Sequence, residues 1–369
     1  MRLNYEKPSL SRLAQELRRR LVWSISSMEG NFAFGVPELN VCRREAIHLE
    51  LAQSDECFQH GFLYHNRLDL FGLAIKLRQA REDIMIFSPS ISLRTSAELI
   101  AATADMERNL AEIDGLLRDE DRYWASRLCR AANQTQLLTV NMALNQNYCD
   151  LLRLFLAGYQ EAASDTMLAE LDPEFLSTRA ERAVQYAYSN IAMAEDFTRQ
   201  YSHLQLYDLD VAVCLYHAAQ IVAFVTGPQG TPQAIIQVNQ CLHFFKVFYP
   251  LSKTAQPMVR DLERLARKLY SNPTRPHLND RIETDTHDPS ELAVAGSTVP
   301  KLSIHSLLRQ ADFPDADHHE TSPQTENTVE DEVITGVDEE NDPDFSFDPW
   351  MGWQGSLDPF GYLQLSDLY

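Results

Sequence analysis

The sequence predicts an all-α protein, an irregular multi-helix body followed by a disordered acidic C-terminal tail. Three observations predict it. Apolar residues return every three or four positions in segment after segment, with little of the alternation that marks strands. Gly, Pro, Asn, Ser and Asp clusters such as Ser88-Pro89-Ser90, Asp172-Pro173 and Gly227-Pro228-Gln229-Gly230 cut those segments to helix length. After Tyr270 the texture changes, as far as about Asn341, to Asp, Thr, His, Ser and Pro with few aromatics. At 369 residues and 44% hydrophobic, the chain is long enough to bury a large core before that change.

Taken in order, the candidate helices are 9–29, 56–80, 92–112, 118–160, 174–200, 207–226, 232–248 and 254–270. In the first, Leu10, Leu13, Leu17 and Leu21 form one apolar stripe, expected to face the core, while Glu16 and Arg20 stand a turn apart on the polar side. Arg18, Arg19 and Arg20 point about 100° apart from one to the next. They are expected at a solvated or ion-paired surface rather than on nucleic acid. The segment 118–160 is read as one long helix whose Asn133, Gln134, Gln136, Asn141, Asn145, Gln146 and Asn147 form an uncharged polar face against other helices. Leu209 to Val225 is the most apolar stretch. It contains Asp210, His217 and Gln220 and falls short of the roughly 20 residues a bilayer requires, so it is expected as a buried helix with His217 a satisfied core histidine. No fixed repeat period supports a solenoid.

Charge divides the chain. Residues 271–369 hold 21 Asp/Glu and 4 Lys/Arg, and from Asp312 onward there are 16 acids with no Lys or Arg, whereas residues 1–270 stand near neutrality. The C-terminal part therefore repels nucleic acid and anionic membrane alike, and its expected partners are basic or apolar protein surfaces. The six cysteines, at 42, 57, 129, 149, 214 and 241, include no C-x-x-C pair and read as reduced thiols, three of them within apolar helices. The N-terminal MRLNYEKPSLSR lacks the apolar core of a secretory signal and fits a transit peptide poorly.

Two stretches carry a resemblance. Glu16-Leu17-Arg18-Arg19-Arg20-Leu21-Val22-Trp23, then Gly35-Val36-Pro37, then Ile47-His48-Leu49-Glu50-Leu51, then Asp55-Glu56 follow an order E-x-R-R-R-x-x-W, G-x-P, I-x-L-x-L, D-E. Further on, Tyr148-Cys149-Asp150 opens a run of Leu and Arg. In this order of parts the chain resembles the middle regulatory, xylanolytic-activator-like domain of fungal binuclear-zinc-cluster transcription factors, loosely over residues 10–270. The motif residues are thus Glu16, Arg18, Arg19, Arg20, Trp23, Gly35, Pro37, Asp55 and Glu56. The two C-x2-C-x6-C runs of a binuclear zinc cluster are missing, so no DNA-reading module and no direct nucleic-acid binding is assigned to this chain. The resemblance implies nuclear control of RNA polymerase II transcription, with the helical region restraining activity until a small-molecule effector or a DNA-binding partner subunit relieves it. It also implies that the chain begins inside that domain, leaving an apolar face that a partner covers or that marks an N-terminally truncated gene model.

The expected organisation is a helical regulatory domain over 1–270, a disordered linker over 271–341 and an acidic-aromatic tail over 342–369. Within the linker, Ile304, Leu307 and Leu308 form a short ridge, and His318-His319 is expected to be unliganded. In the tail Phe345, Phe347, Trp350, Trp353, Leu357, Phe360, Tyr362 and Leu363 alternate with carboxylates and prolines, the pattern of an acidic activation segment that docks on transcriptional coactivators. No G-x-S-x-G, Walker loop, G-x-G-x-x-G or H-E-x-x-H occurs. Terpene-cyclase chemistry would need aspartate-rich metal motifs on facing helices, and Asp119-Glu120-Asp121 continues into Arg122-Tyr123 instead. The expectation is a non-enzyme without cofactor or metal, and the alternative is a helical interaction or scaffold protein.

Overall fold

The computed structural model describes residues 3–33, 42–53, 68–123, 134–159, 161–204, 206, 208–226 and 232–271. These residues are all-α. The helices are α1 (Arg12–Ala33), α2 (Leu70–Phe87), α3 (Ser96–Leu116), α4 (Gln134–Leu152), α5 (Asp165–Leu168), α6 (Pro173–Tyr201), α7 (Leu209–Thr226), α8 (Pro232–Phe248) and α9 (Gln256–Ser271). A single isolated bridge, Tyr5 to His48, is the only strand-like pairing among the described residues.

Helix starts follow local chemistry. Asp69 caps α2 by accepting from Gly72 N at 2.9 Å, Thr95 and Glu98 close a capping box on α3, and Asp172 caps α6 with Pro173 at its first position. The central layer is α4, packed against α2, α3, α6 and α7. Around it α6, α7 and α8 pack on one another and α9 closes over α7 and α8. The main apolar core runs from Leu73 to Ala266 and includes Leu138, Phe155, Phe197, Leu215 and Phe245. Helix α7 is long and apolar enough to cross a membrane by length and composition, yet 67% of that stretch is buried here and it is the core helix the sequence reading expects.

Two expectations are corrected. The single helix over 118–160 is instead broken. Arg118 pairs with Asp121 across a 3₁₀ turn at Asp119–Asp121, α4 proper ends at Leu152, and a second 3₁₀ turn covers Arg153–Phe155. Gly158 then takes φ +80°, and Ala163 N bonds back to Leu154 O, so the Leu- and Ala-rich continuation folds into a loop. The second correction concerns α1. Leu13, Leu17 and Leu21 are about half exposed rather than core, and Ile25 and Met28 extend the same exposed line. The buried side of α1 carries Glu16, Val22, Trp23 and Ser27. That inversion has a specific cause, the polar partners described below. The uncharged polar face of α4 is as expected, with Gln136, Asn141, Gln146 and Asn147 all buried between helices.

Linker and tail lie outside the described residues from position 272 onward, as do Gly35, Pro37, Asp55 and Glu56. The expectations made for those positions are not addressed by the fold.

Candidate functional site

Two clusters stand out, and both are built from a carboxylate gripped by two arginines. The first is the N-terminal motif. Residues 47–53 run extended beside α1, turning Leu49 and Ala52 inward and His48 and Glu50 outward. An extended segment leaves its backbone polar groups without helical partners, so side chains must supply them. Glu16 Oε1 accepts from Gln53 N at 2.9 Å, Arg20 Nη2 donates to Gln53 O at 2.9 Å, and Trp23 Nε1 donates to Glu50 O at 2.9 Å. Arg20 also pairs with Glu16 at 3.0 Å, while Arg19 pairs with Glu6 at 2.7 Å and Glu50 at 2.8 Å. Arg18 Nε donates to Leu3 O. The arginines are thus ion-paired and hydrogen-bonded within the chain, as their spacing suggests. Glu16, Arg19, Arg20 and Trp23 converge on one segment. Tying that segment down requires the polar side of α1 to turn inward, which leaves the leucines outside.

The second cluster lies deep in the bundle. Asp150 on α4 receives Arg81 Nε from α2 at 2.9 Å on one oxygen, and on the other Gln146 Nε2 at 2.7 Å and Arg153 Nη1 at 3.0 Å. Asp150 is 0% and Arg153 1% exposed. Burial alone would raise the Asp150 carboxyl, but Arg153 and Arg81 outweigh it and hold it below the ordinary carboxylate range. His217 on α7 completes the group. Burial, and then Arg153, push it down to about 3, so it is neutral. Both of its ring nitrogens lack a hydrogen-bond partner of good geometry, as do Gln146 Oε1, Asn147 Oδ1 and Arg153 Nε and Nη1. His217 is buried as expected, and the Gln220 side chain is the polar group beside its ring.

The residues joined here come from α2, α4 and α7, with Glu161 3.9 Å from Arg153 in the loop beyond. Sequence reading noticed Asp150 and Arg153 only as part of a motif and missed Arg81. A signal existed: Arg81 stands four residues after Leu77 and three before Ile84, on the buried stripe of an apolar helix. Chemically the cluster is a charge lock. Its carboxylate is already paired, and the nearby Cys149 and Cys214 thiols are pushed up by burial, away from the thiolate a nucleophile needs.

Among the described residues no group of three or more His, Cys, Asp or Glu is arranged to hold a metal. The acidic run at Asp119–Asp121 serves locally: Arg118 pairs with both Glu120 and Asp121, and Arg122 pairs with Asp114. A shallow open groove between α6 and α8, lined by Tyr188, Ala192, Glu195, Gln233 and Gln237, presents a single carboxylate. Cys42, Cys149, Cys214 and Cys241 are free thiols. Compared with known protein families, with curated proteins and with solved structures, the chain finds no match.

Proposed function

We propose that this chain is a regulator of RNA polymerase II transcription acting in the nucleus. In this reading the helical body is the controlling part and the segment 342–369 recruits coactivator proteins, under a small-molecule effector or a DNA-binding partner subunit. The observation that carries the reading is the convergence of Glu16, Arg19, Arg20 and Trp23 on residues 47–53. The residues of the first motif and those of the I-x-L-x-L motif form one joint, so their order along the chain has a structural reason. The acidic, aromatic composition of the tail supplies the second support, because carboxylates keep aromatic groups accessible for weak, exchangeable docking.

A one-hybrid assay tests this. The full chain, and residues 312–369 alone, fused to an unrelated DNA-binding domain should raise reporter output. Replacing Phe345, Phe347, Trp350, Trp353 and Phe360 with alanine should abolish the rise at unchanged net charge. Equal activation by the aromatic-free version overturns the reading. The second reading, a helical interaction protein without a transcriptional role, draws on the exposed leucine line of α1 and predicts no reporter output from either fusion.

A further inference from the structure

The exposed face of α1 is a pattern with its own symmetry. Leu10, Leu13, Leu17, Leu21, Ile25 and Met28 are separated by 3, 4, 4, 4 and 3 residues, a spacing that reads the same from either end. From Leu13 to Met28 the side chains are 43–52% exposed, and Leu10 is half-buried at the helix entrance. Elsewhere, exposed apolar residues such as Leu93 and Leu251 are not part of such a line.

We propose that α1 pairs with α1 of a second copy of this chain, antiparallel about a two-fold axis near position 19. That axis sets Leu10 opposite Met28, Leu13 opposite Ile25 and Leu17 opposite Leu21, each contact occurring twice, as a closed isologous interface requires. A different partner would impose no such palindrome. Part of the charge near the axis is neutralised within each copy, where Arg20 is paired to Glu16 and Arg19 to Glu6 and Glu50, while Arg18 donates to Leu3 O. Area sets the strength. Half-exposed side chains of this size offer roughly 80 Å² each. Five give about 800 Å² over two copies, and the flanking residues bring the total toward the roughly 1,200 Å² at the lower edge of specific interfaces. The pair is accordingly a weak dimer that forms with rising concentration.

Sedimentation of the full chain should show a monomer–dimer equilibrium in the micromolar range. In Leu17→Glu/Leu21→Glu, which changes only exposed positions and sets like charges opposite one another, the dimer should weaken at least tenfold with the helical circular dichroism unchanged. Orientation is read separately. A mixture of Leu13→Cys and Ile25→Cys chains should form a disulfide-linked dimer above the wild-type background. Leu13→Cys alone should not, since its two copies stand about 18 Å apart along the axis. A wild type that stays monomeric at 100 µM, a dimer indifferent to the double glutamate variant, or cross-linking of Leu13→Cys with itself in preference to the mixture would each overturn the proposal.

Discussion

Glu16 and Asp150 are both buried and each held between two arginines, yet they do different work because one braces a peripheral segment and the other joins helices of the main core. Around Glu16 the arginines come from the same helix, three and four residues on, and they retain some contact with solvent; Oε1 also accepts from the backbone of Gln53, while Oε2, 3.9 Å from Arg19, has no hydrogen-bond partner. Around Asp150 one arginine comes from another helix, Asp150 and Arg153 are fully buried, and Arg153 Nη1 meets the carboxylate as an ion pair outside hydrogen-bond geometry while Gln146 Oε1 has no hydrogen-bond partner. The first arrangement orders an extended segment that has no ladder of its own. The second fixes which faces of α2 and α4 meet, at a cost in desolvation that the Coulomb attraction must offset. The N-terminal layer is thus held by polar contacts over the small apolar set Val22, Trp23, Leu49 and Ala52, which stands apart from the main core.

The largest expected effect tests the member in the main core. Asp150→Ala leaves two buried guanidinium groups uncompensated and should lower unfolding free energy by about 3–5 kcal/mol, measured by denaturant titration. Replacing Arg81, Asp150 and Arg153 together with Met, Leu and Leu should recover most of that loss, because the desolvation cost goes with the charges. If the single variant loses less than about 1 kcal/mol, the cluster is not a lock.

Glu16→Ala is expected to act locally and less strongly. It removes the acceptor of Gln53 N and a partner of Arg20, a loss of about 1–3 kcal/mol confined to the N-terminal layer. Hydrogen exchange should separate the two regions: amides of residues 47–53 lose protection while those of α4 keep theirs. Equal loss in both regions would show that the layer and the bundle open as one unit.

Much of this architecture was legible in the sequence. Apolar periodicity located most helices of the bundle, and the Asn- and Gln-rich side of α4 correctly announced helix-to-helix contacts, but the caps at Asp69 and Thr95 were not read: the helix expected over 56–80 begins instead at Leu70 and runs to Phe87, and the one expected over 92–112 begins at Ser96. Two kinds of feature escaped. On α1 the leucine stripe was the stronger periodic signal, but the extended segment 47–53 needed donors and acceptors that the Glu16–Arg20 side gives, and satisfying this half-buried backbone outweighed covering five apolar side chains. The Asp150 centre escaped for a different reason. Its members lie at positions 81, 146, 150, 153 and 217, and a charge on an apolar stripe shows that a partner is needed without showing which one. The loop beyond α4 turns at Gly158, whose positive φ is a conformational choice that helix propensity alone does not reveal.

A third carboxylate sharpens the comparison by removing the arginine grip. Asp208 precedes α7, accepting from Thr139 Oγ1 at 3.1 Å and Asp210 N at 2.9 Å, while Tyr249 donates to its backbone carbonyl. The neighbouring Arg78 is taken by Asp210 at 3.0 Å. Burial first, and then the Asp210 charge, push the Asp208 carboxyl up to about 6, the opposite direction from Asp150. The sign follows from linkage. Between the ordinary carboxylate value and about 6 the folded state keeps a proton that the unfolded chain has released, so this group's stabilising contribution is complete at low pH and lost as pH rises through that window. Asp208→Asn is neutral throughout and retains a cap for α7. The difference in unfolding free energy between wild type and variant should therefore shift by about 2 kcal/mol between pH 4 and pH 7, in favour of the variant at the higher pH. A pH-independent difference would mean that Thr139 and Arg78 stabilise the Asp208 charge as fully as Arg81 and Arg153 stabilise that of Asp150, and that burial without a dedicated arginine costs this fold nothing.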